Sequence, residues 1–306
     1  MEVVSFDDAL VAVKKKTRAA EVMTLLKAIR LNRLRESRLV IEYGRLALHR
    51  FESSLGDEKW SILEQVFIAA LDTGDQSLAN ECLSKLMIQF RDSSRVKRLV
   101  GLQSEAKKEF KVASETYEEL LATNPANALA MKRKVALLRA QGKVNEAVQE
   151  LNKLVDQFSA DATAWQELAD LYLSLSKYDS AAFCFEELIL HDPMNHLLHC
   201  RLGEIYFTLG RDHLFNARKY FSQSLEIKRK GNARALHGLA SCCHSIAENP
   251  KISKEAKERS EVNAALHAFA SLELRNMYSD KQKALVGPLG EVLKMQAAAV
   301  EEASHK

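Results

Sequence analysis

Small and large apolar residues recur at an unbroken spacing of 34 residues through the middle of this 306-residue chain. With Trp60, Ser94, Ala128 and Ala162 each taken as position 1 of a copy, position 20 is always alanine: Ala79, Ala113, Ala147 and Ala181. Positions 24 and 27 are large and apolar: Leu83 and Leu86, Tyr117 and Leu120, Leu151 and Leu154, Phe185 and Leu188. Residues three apart share one face of an α-helix, so the pattern predicts amphipathic helices that bury this face.

Small residues and prolines predict how these helices pair and end. Position 8 is small at Gly101, Ala169 and Gly203, which together with the alanine at position 20 lets two helices approach to about 8 Å. Pro125 and Pro193 are expected to end the second helix of their copies, because proline has no amide hydrogen and disfavours helical geometry in the preceding residue. The chain lacks β-branched alternation and is predicted to be all-α.

This spacing resembles the tetratricopeptide repeat (TPR) family, in which each repeat is an antiparallel pair of helices. The copy over residues 162–195 matches the family at eight positions: Trp165, Leu168, Ala169, Tyr172, Ala181, Phe185, Leu188 and Pro193. The resemblance implies a TPR-type α-solenoid superhelix in which stacked helix pairs bury a continuous core.

The phase of the repeat divides the chain into segments. Residues 1–59 are expected to form N-terminal capping helices, and five TPR-like repeats follow, at 60–93, 94–127, 128–161, 162–195 and 196–231. Residues 232–275 are expected to form a degenerate sixth helix pair, whose second helix is capped by Ser253. Residues 276–306 are expected to hold a last helix after Gly287-Pro288 and a disordered polar tail from Glu301.

Composition argues against several classes of protein. A net charge of +3 gives no bulk electrostatic reason to expect nucleic-acid binding. The five cysteines have no CxxC spacing and lie in apolar helical surroundings, which predicts buried thiols in a reducing compartment. The N-terminus has no signal-peptide pattern, and the longest uncharged apolar run, near residues 66–71, is far short of the ~20 residues of a membrane span. We therefore expect a soluble protein that meets membranes through partners or a surface.

No motif predicts catalysis or a cofactor. The sequence contains no nucleophile elbow, phosphate loop, zinc-protease helix or paired-carboxylate motif. One cluster has ligand types that zinc accepts: His191, Asp192, His196, His199 and Cys200. The repeat register places His199 at a helix interface, where Trp165 lies one copy earlier, and places Asp192 in a turn. Cys242, Cys243 and His244 are adjacent in a helix and therefore point in different directions. We expect no metal site and no enzymatic activity.

Charged residues at predicted groove-facing positions form the candidate binding site, since first helices line the inner groove of such arrays. The second and third copies are basic there, with Arg95, Arg98, Lys132, Arg133 and Arg139. The fourth and fifth are acidic, with Glu167, Asp170 and Glu204, although Arg201 is an exception. We expect the basic half to bind an acidic partner segment, because a guanidinium group donates two parallel hydrogen bonds to a carboxylate. The alternative is a set of solvated charges that contribute little.

A second basic block covers residues 14–38. Val22, Leu25, Leu26 and Ile29 make this segment amphipathic. Packing of this segment against the first repeat explains its amphipathic pattern. Contact with anionic lipid or an RNA backbone is the alternative.

Segments outside the repeat positions resemble subunit 2 of the endoplasmic reticulum (ER) membrane protein complex, a membrane-protein insertase. They include residues 64–72, Lys132-Arg133-Lys134, Ala140-Gln141-Gly142-Lys143 and Arg218-Lys219-Tyr220-Phe221, and the resemblance covers about residues 50–255. It implies a non-enzymatic peripheral scaffold on the cytosolic face of the ER. The implied partners are the cytosolic parts of membrane subunits and a soluble metalloprotease-like subunit, with no nucleic acid and only indirect membrane contact.

Two other kinds of helical-repeat protein are less consistent with the groove positions. A co-chaperone adaptor that clamps an acidic C-terminus needs asparagine at positions 6 and 9, where this chain has Leu99, Leu102, Arg133 and Ala136. A helical-repeat RNA binder should have a continuous basic groove, which the acidic residues of the fourth and fifth copies interrupt.

Overall fold

The computed structural model describes residues 5–248 and 260–305. Within these ranges the chain forms sixteen α-helices and no strand, which confirms the all-α prediction. The first eight helices are α1 (Phe6–Lys15), α2 (Ala19–Leu31), α3 (Ser37–Arg50), α4 (Glu58–Thr73), α5 (Gln76–Gln89), α6 (Ser94–Ala106), α7 (Phe110–Thr123) and α8 (Ala128–Ala140). The others are α9 (Val144–Gln157), α10 (Ala162–Ser174), α11 (Tyr178–His191), α12 (His196–Leu209), α13 (Leu214–Ile227), α14 (Ala233–Ala247), α15 (Ser260–Lys281) and α16 (Val286–His305).

The chain divides into two compact units, Met1–Lys143 and Val144–Lys306. In the first unit, α2, α3 and α4 surround a core whose largest fully buried side chains include Leu25, Leu26, Ile62, Leu63 and Phe67. Burying one such side chain contributes about 1.5–3 kcal/mol. The boundary between the units falls inside the segment predicted to be the third repeat.

Short polar side chains begin several of the helices. The side chain of Asp75 accepts a hydrogen bond from the Leu78 amide at 3.0 Å, just after Gly74 has ended α4 with a φ of 78°. The same cap begins α8, α10 and α14, where the side chains of Asn127, Asp161 and Asn232 accept from the amide three residues later. These caps satisfy amides that have no partner inside the helix, and they fix where each turn stops.

In the second unit, first helices stack on the pair before them. Helix α14 packs on both α12 and α13, and α16 packs on both α14 and α15. The Phe221 ring of α13 lies between two glycines: a Cβ on Gly203 would come within 3.0 Å of the ring, and a Cβ on Gly238 within 2.4 Å. Glycine at these positions is therefore a packing requirement, and it explains the small residue at position 8 of that copy.

The C-terminal region differs from the prediction in two respects. Helix α16 already starts at Val286, so Pro288 lies in its first turn, where its missing amide hydrogen is tolerated. The helix then extends to His305, so the prediction of a disordered tail is wrong for residues 301–305. Helix α15 continues beyond Leu274 to Lys281, and the predicted cap Ser253 lies outside the described residues.

All five cysteines are buried as free thiols. Burial raises the pKa of Cys82 and Cys200 to about 11, and that of Cys184, Cys242 and Cys243 to about 12. Among the described residues, no helix is long and apolar enough to cross a membrane.

Candidate protein-binding surface

Two of the predicted basic residues converge on one buried carboxylate. Arg98 on α6 donates from Nη2 to Oε1 of Glu64 on α4 at 3.3 Å, and Arg95 forms an ion pair with the other oxygen of Glu64. Glu64 is only 9% exposed. A buried carboxylate needs charged or hydrogen-bonding partners, so these arginines join helices α4 and α6.

Arg133 on α8 is held in the same way by Glu105 of α6. Its guanidinium forms a two-point contact with the carboxylate, with Nε 3.2 Å from Oε1, and the Tyr117 hydroxyl also donates to Oε1, at 2.5 Å. Burial and the hydrogen bond to Glu105 raise the pKa of Tyr117. Burial opposes the charge of Arg133, but the hydrogen bond with Glu105 leaves its pKa raised. The network therefore holds a charged arginine and a neutral phenol around one carboxylate.

Members of the predicted acidic half also have partners within the protein. Glu204 on α12 accepts from Arg201 at 3.0 Å and from Nη2 of Arg234 on α14 at 2.6 Å. Asp170 accepts from Gln166 at 3.2 Å. The remaining members of the candidate site also have interaction partners: Lys132, Arg139 and Glu167. All eight predicted residues thus have partners within the protein.

A cavity of about 610 Å³ opens in the first unit beside the turn between α2 and α3. Arg33, Arg95 and Arg133 line it together with two partly exposed apolar side chains, Leu34 and Ile68. Arg35 at its edge donates to both oxygens of Asp72, at 3.1 and 2.6 Å. The cavity therefore brings exposed apolar side chains together with basic ones, and Glu36, Glu64 and Asp72 also line it.

The basic block of residues 14–38 lies partly on this cavity. The apolar face of α2 is buried in the same core as α4, and Gln65 of α4 donates to the Leu26 carbonyl at 3.0 Å. Arg30 pairs with Glu58 at 2.7 Å. This is the docking onto the first repeat that the pattern of the block favours.

The candidate metal cluster has separate structural contacts. His199 Nε2 lies 2.9 Å from the Pro193 carbonyl, while Trp165, 34 residues earlier, donates from Nε1 to the Ser159 carbonyl at 2.8 Å. The two rings thus occupy equivalent places in successive copies. His191 approaches the Ser159 carbonyl, and Asp192 accepts from Asn195.

The acidic partners of the arginines, Glu64 and Glu105, were not predicted from the sequence. One signal was present, because Glu64 and Arg98 are 34 residues apart and occupy position 5 of successive copies. Glu105 is at position 12 of its copy and binds Arg133, which is at position 6 of the next copy. This pairing depends on the angle between the helices.

Comparison with known proteins places these features in a family. A family model described as the EMC2 TPR-like repeat domain matches residues 80–227. The chain is 42% identical over 254 residues to ER membrane protein complex subunit 2-A of Xenopus laevis, covering 83% of this chain and 84% of the relative. It is 32% identical over 209 residues to ER membrane protein complex subunit 2 of Dictyostelium discoideum, covering 67% and 65%.

A solved structure shows the same fold at low identity. The C-terminal part of a TPR repeat-containing protein from Cytophaga hutchinsonii aligns with a TM-score of 0.55 and 14% identity, over 87% of this chain and 98% of that one. The TPR fold is thereby confirmed. Since the identity to the Xenopus laevis relative extends well beyond the repeats, the chain belongs to the family of ER membrane protein complex subunit 2.

Proposed function

We propose that this chain is a non-enzymatic scaffold subunit of the ER membrane protein complex, held peripherally on the cytosolic face of the ER membrane through its partners. The observation that carries the proposal is the 42% identity to the Xenopus laevis subunit across 83% of this chain. Packed helices suit a scaffold, since they present binding surfaces on rigid elements.

The proposed partners are the cytosolic parts of the complex's membrane subunits and its soluble metalloprotease-like subunit. By organising them, the chain supports insertion of tail-anchored and multipass membrane proteins. Nucleic acid is not among the proposed partners, and membrane contact is indirect.

The proposed contact for an acidic partner segment is the basic surface formed by Arg95, Arg98, Lys132, Arg133 and Arg139. The ion pairs divide its members into two roles. The Arg95 side chain is 64% exposed, whereas Arg98 is 21% exposed and lies against Glu64. Arg95 can therefore bind a partner carboxylate while Arg98 keeps Glu64 neutralised. Leu34 and Ile68 in the adjoining cavity supply apolar contact for the same segment.

The first test is purification of the tagged protein from membranes in mild detergent, followed by sizing and mass spectrometry. We expect a large complex that contains membrane subunits. A small cytosolic species that carries a heat-shock protein or RNA would contradict the scaffold proposal and support a co-chaperone or an RNA binder.

The basic surface is tested with Arg95→Glu in the same purification. We expect recovery of the partner segment to fall about tenfold, equivalent to about 1.4 kcal/mol. Thermal unfolding is measured in parallel and should show only a small loss of stability, because Arg98 keeps its contact with Glu64. Lys111→Glu on α7 is the matched control, because Lys111 is exposed and lies outside the cavity. Equal recovery from both variants would remove the basic surface from the proposal.

A further inference from the structure

Helix α16 occupies the place of a first helix in a pair. Like α14, it packs on both helices of the preceding pair. Helices α12 and α14 are each followed by a second helix that covers them, α13 and α15. Within the residues that the structure describes, α16 has no such second helix. The side on which that helix would lie, next to α15, is open.

The open side is a groove between α15 and α16 with a volume of about 460 Å³. Small residues line it, Ala264 and Ala268 on α15 and Ala297 on α16, together with the buried Leu293. Small residues allow another helix to approach to about 8 Å. Leu272 forms one wall and is 59% exposed, so an apolar side chain borders the groove with nothing among the described residues to cover it.

Two buried polar atoms at this groove lack partners. His267 is 2% exposed and its Nε2 has no hydrogen bond, and Ser271 Oγ, one turn further along α15, has none either. Both residues line the groove. A buried donor or acceptor without a partner costs about 1–3 kcal/mol. These two atoms therefore favour an occupant that brings polar groups as well as apolar ones.

The two ends of the groove differ in charge: Glu301 lines the end far from the turn that joins α15 and α16, and two basic residues line the other end. Arg275 and Lys294 line it near the turn that joins the two helices, and both are exposed. Neither forms an ion pair with any residue that the structure describes. An occupant with carboxylates at this end would neutralise both.

We propose that the α15–α16 groove binds one amphipathic α-helix of a partner protein, which completes a seventh helix pair and places acidic side chains against Arg275 and Lys294. This inference deepens the proposed scaffold function and rests on it, since it takes the helix from the same membrane-associated assembly. It concerns a surface separate from Arg95 and its neighbours.

The test uses the full chain with a photo-cross-linking amino acid at Ala265 or at Leu272. Both residues are exposed, line the groove and lie seven residues apart on one face of α15. After irradiation of membranes and mild-detergent purification, cross-linked peptides are sequenced. Met295, which is exposed on α16 but does not line the groove, is the control position.

We expect Ala265 and Leu272 to label one segment of one partner at residues about seven apart, because an α-helix rises 1.5 Å per residue. Met295 should not label that segment. Labels on α15 or α16 of a second copy, labels scattered over unrelated segments, or no labels would each overturn the inference.

A second variant tests the charged end. Arg275→Glu combined with Lys294→Glu should reduce the label from Leu272 about tenfold, while Lys283→Glu on the adjoining turn should not. An unreduced label with the double variant would overturn the charge assignment. Recovery of the large complex without a groove label would refute this inference alone. A helical label in a small cytosolic species would refute the scaffold function and the membrane-associated source of the helix, but not helix binding by the groove.

Discussion

Single small residues set the distance between paired helices in this protein. A Cβ on Gly101 would lie 2.6 Å from the ring of Tyr117, a fully buried side chain that also donates to Glu105. The same relation holds between Gly203 and Phe221. In both pairs, position 8 of the first helix lacks a side chain because the second helix brings an aromatic ring there.

We predict that Gly101→Ala destabilises the protein by about 1–3 kcal/mol, since overpacking has to move a buried ring. The measurement is urea unfolding followed by circular dichroism. Gly290→Ala is the matched control, because Gly290 is also helical and has no atom within 4 Å of an added Cβ. There, alanine should be neutral or slightly stabilising. A Gly101 variant as stable as the control would contradict the packing described here.

At the scale of the element, a ring nitrogen near the start of a helix forms a hydrogen bond with a backbone carbonyl in or near the preceding turn. Trp165 does this for α10 and His199 for α12, each through a carbonyl six residues earlier. The histidine is thus a replacement for tryptophan that keeps the donor. The function of the position is retained although the residue type changes.

Substitutions at His199 test this interpretation. His199→Phe removes the donor to the Pro193 carbonyl and is expected to cost about 0.5–1.5 kcal/mol, the net value of one hydrogen bond. His199→Trp retains a ring N–H and should be less destabilised than His199→Phe. Thermal unfolding of both variants measures the difference, and a tryptophan variant that is less stable than the phenylalanine one would refute the shared role.

The C-terminal helices are predicted to lose stability in acid. Burial lowers the pKa of His267 below its usual 6.5; nearby His244 of α14 lowers it further, while Gln296 and Glu301 of α16 raise it. As the pH falls below about 6.5, the unfolded chain binds a proton that the folded chain resists, so the free energy of unfolding decreases. Burial of His237 acts in the same direction.

Unfolding by urea at pH 7 and pH 5 tests this. The wild-type protein should be less stable at pH 5, and His267→Gln should show a smaller loss. His191→Gln is the control, since His191 is exposed. An identical loss of stability between pH 7 and pH 5 in all three proteins would exclude His267 as a source of the acid sensitivity.

At the scale of the whole molecule, the reactivity of the cysteine thiols measures whether each of the two units is folded. Cys82 lies in the first unit, and the other four lie in the second. The thiolate is the reactive form, so the raised pKa values predict slower alkylation at pH 8 than for an ordinary thiol, by about a hundredfold for Cys82 and Cys200 and about a thousandfold for the other three. Restricted access slows it further. Iodoacetamide labelling and mass spectrometry should show all five unmodified in the native protein and modified in urea. Fast labelling of Cys242 or Cys243 in the native protein would contradict the burial of α14.

The sequence by itself determined the helices, their period and the family. Helix periodicity depends on neighbours three and four residues apart, so the spacing of Ala181, Phe185 and Leu188 alone indicates a buried helix face. The repeat boundaries and the binding role of the basic surface stay predictions. The helical course of residues 301–305 was missed because their polar composition resembles that of a disordered tail.

Only the tertiary structure decided which charges meet. Arg95 and Arg98 looked like surface cations in the sequence, yet they converge on the buried Glu64, and Arg133 is held by Glu105 and Tyr117. The open groove beside α16 was also not predicted from the sequence. Ion pairs and grooves between helices depend on the distance and angle between elements, which side-chain packing sets and which the local periodicity of one helix does not encode.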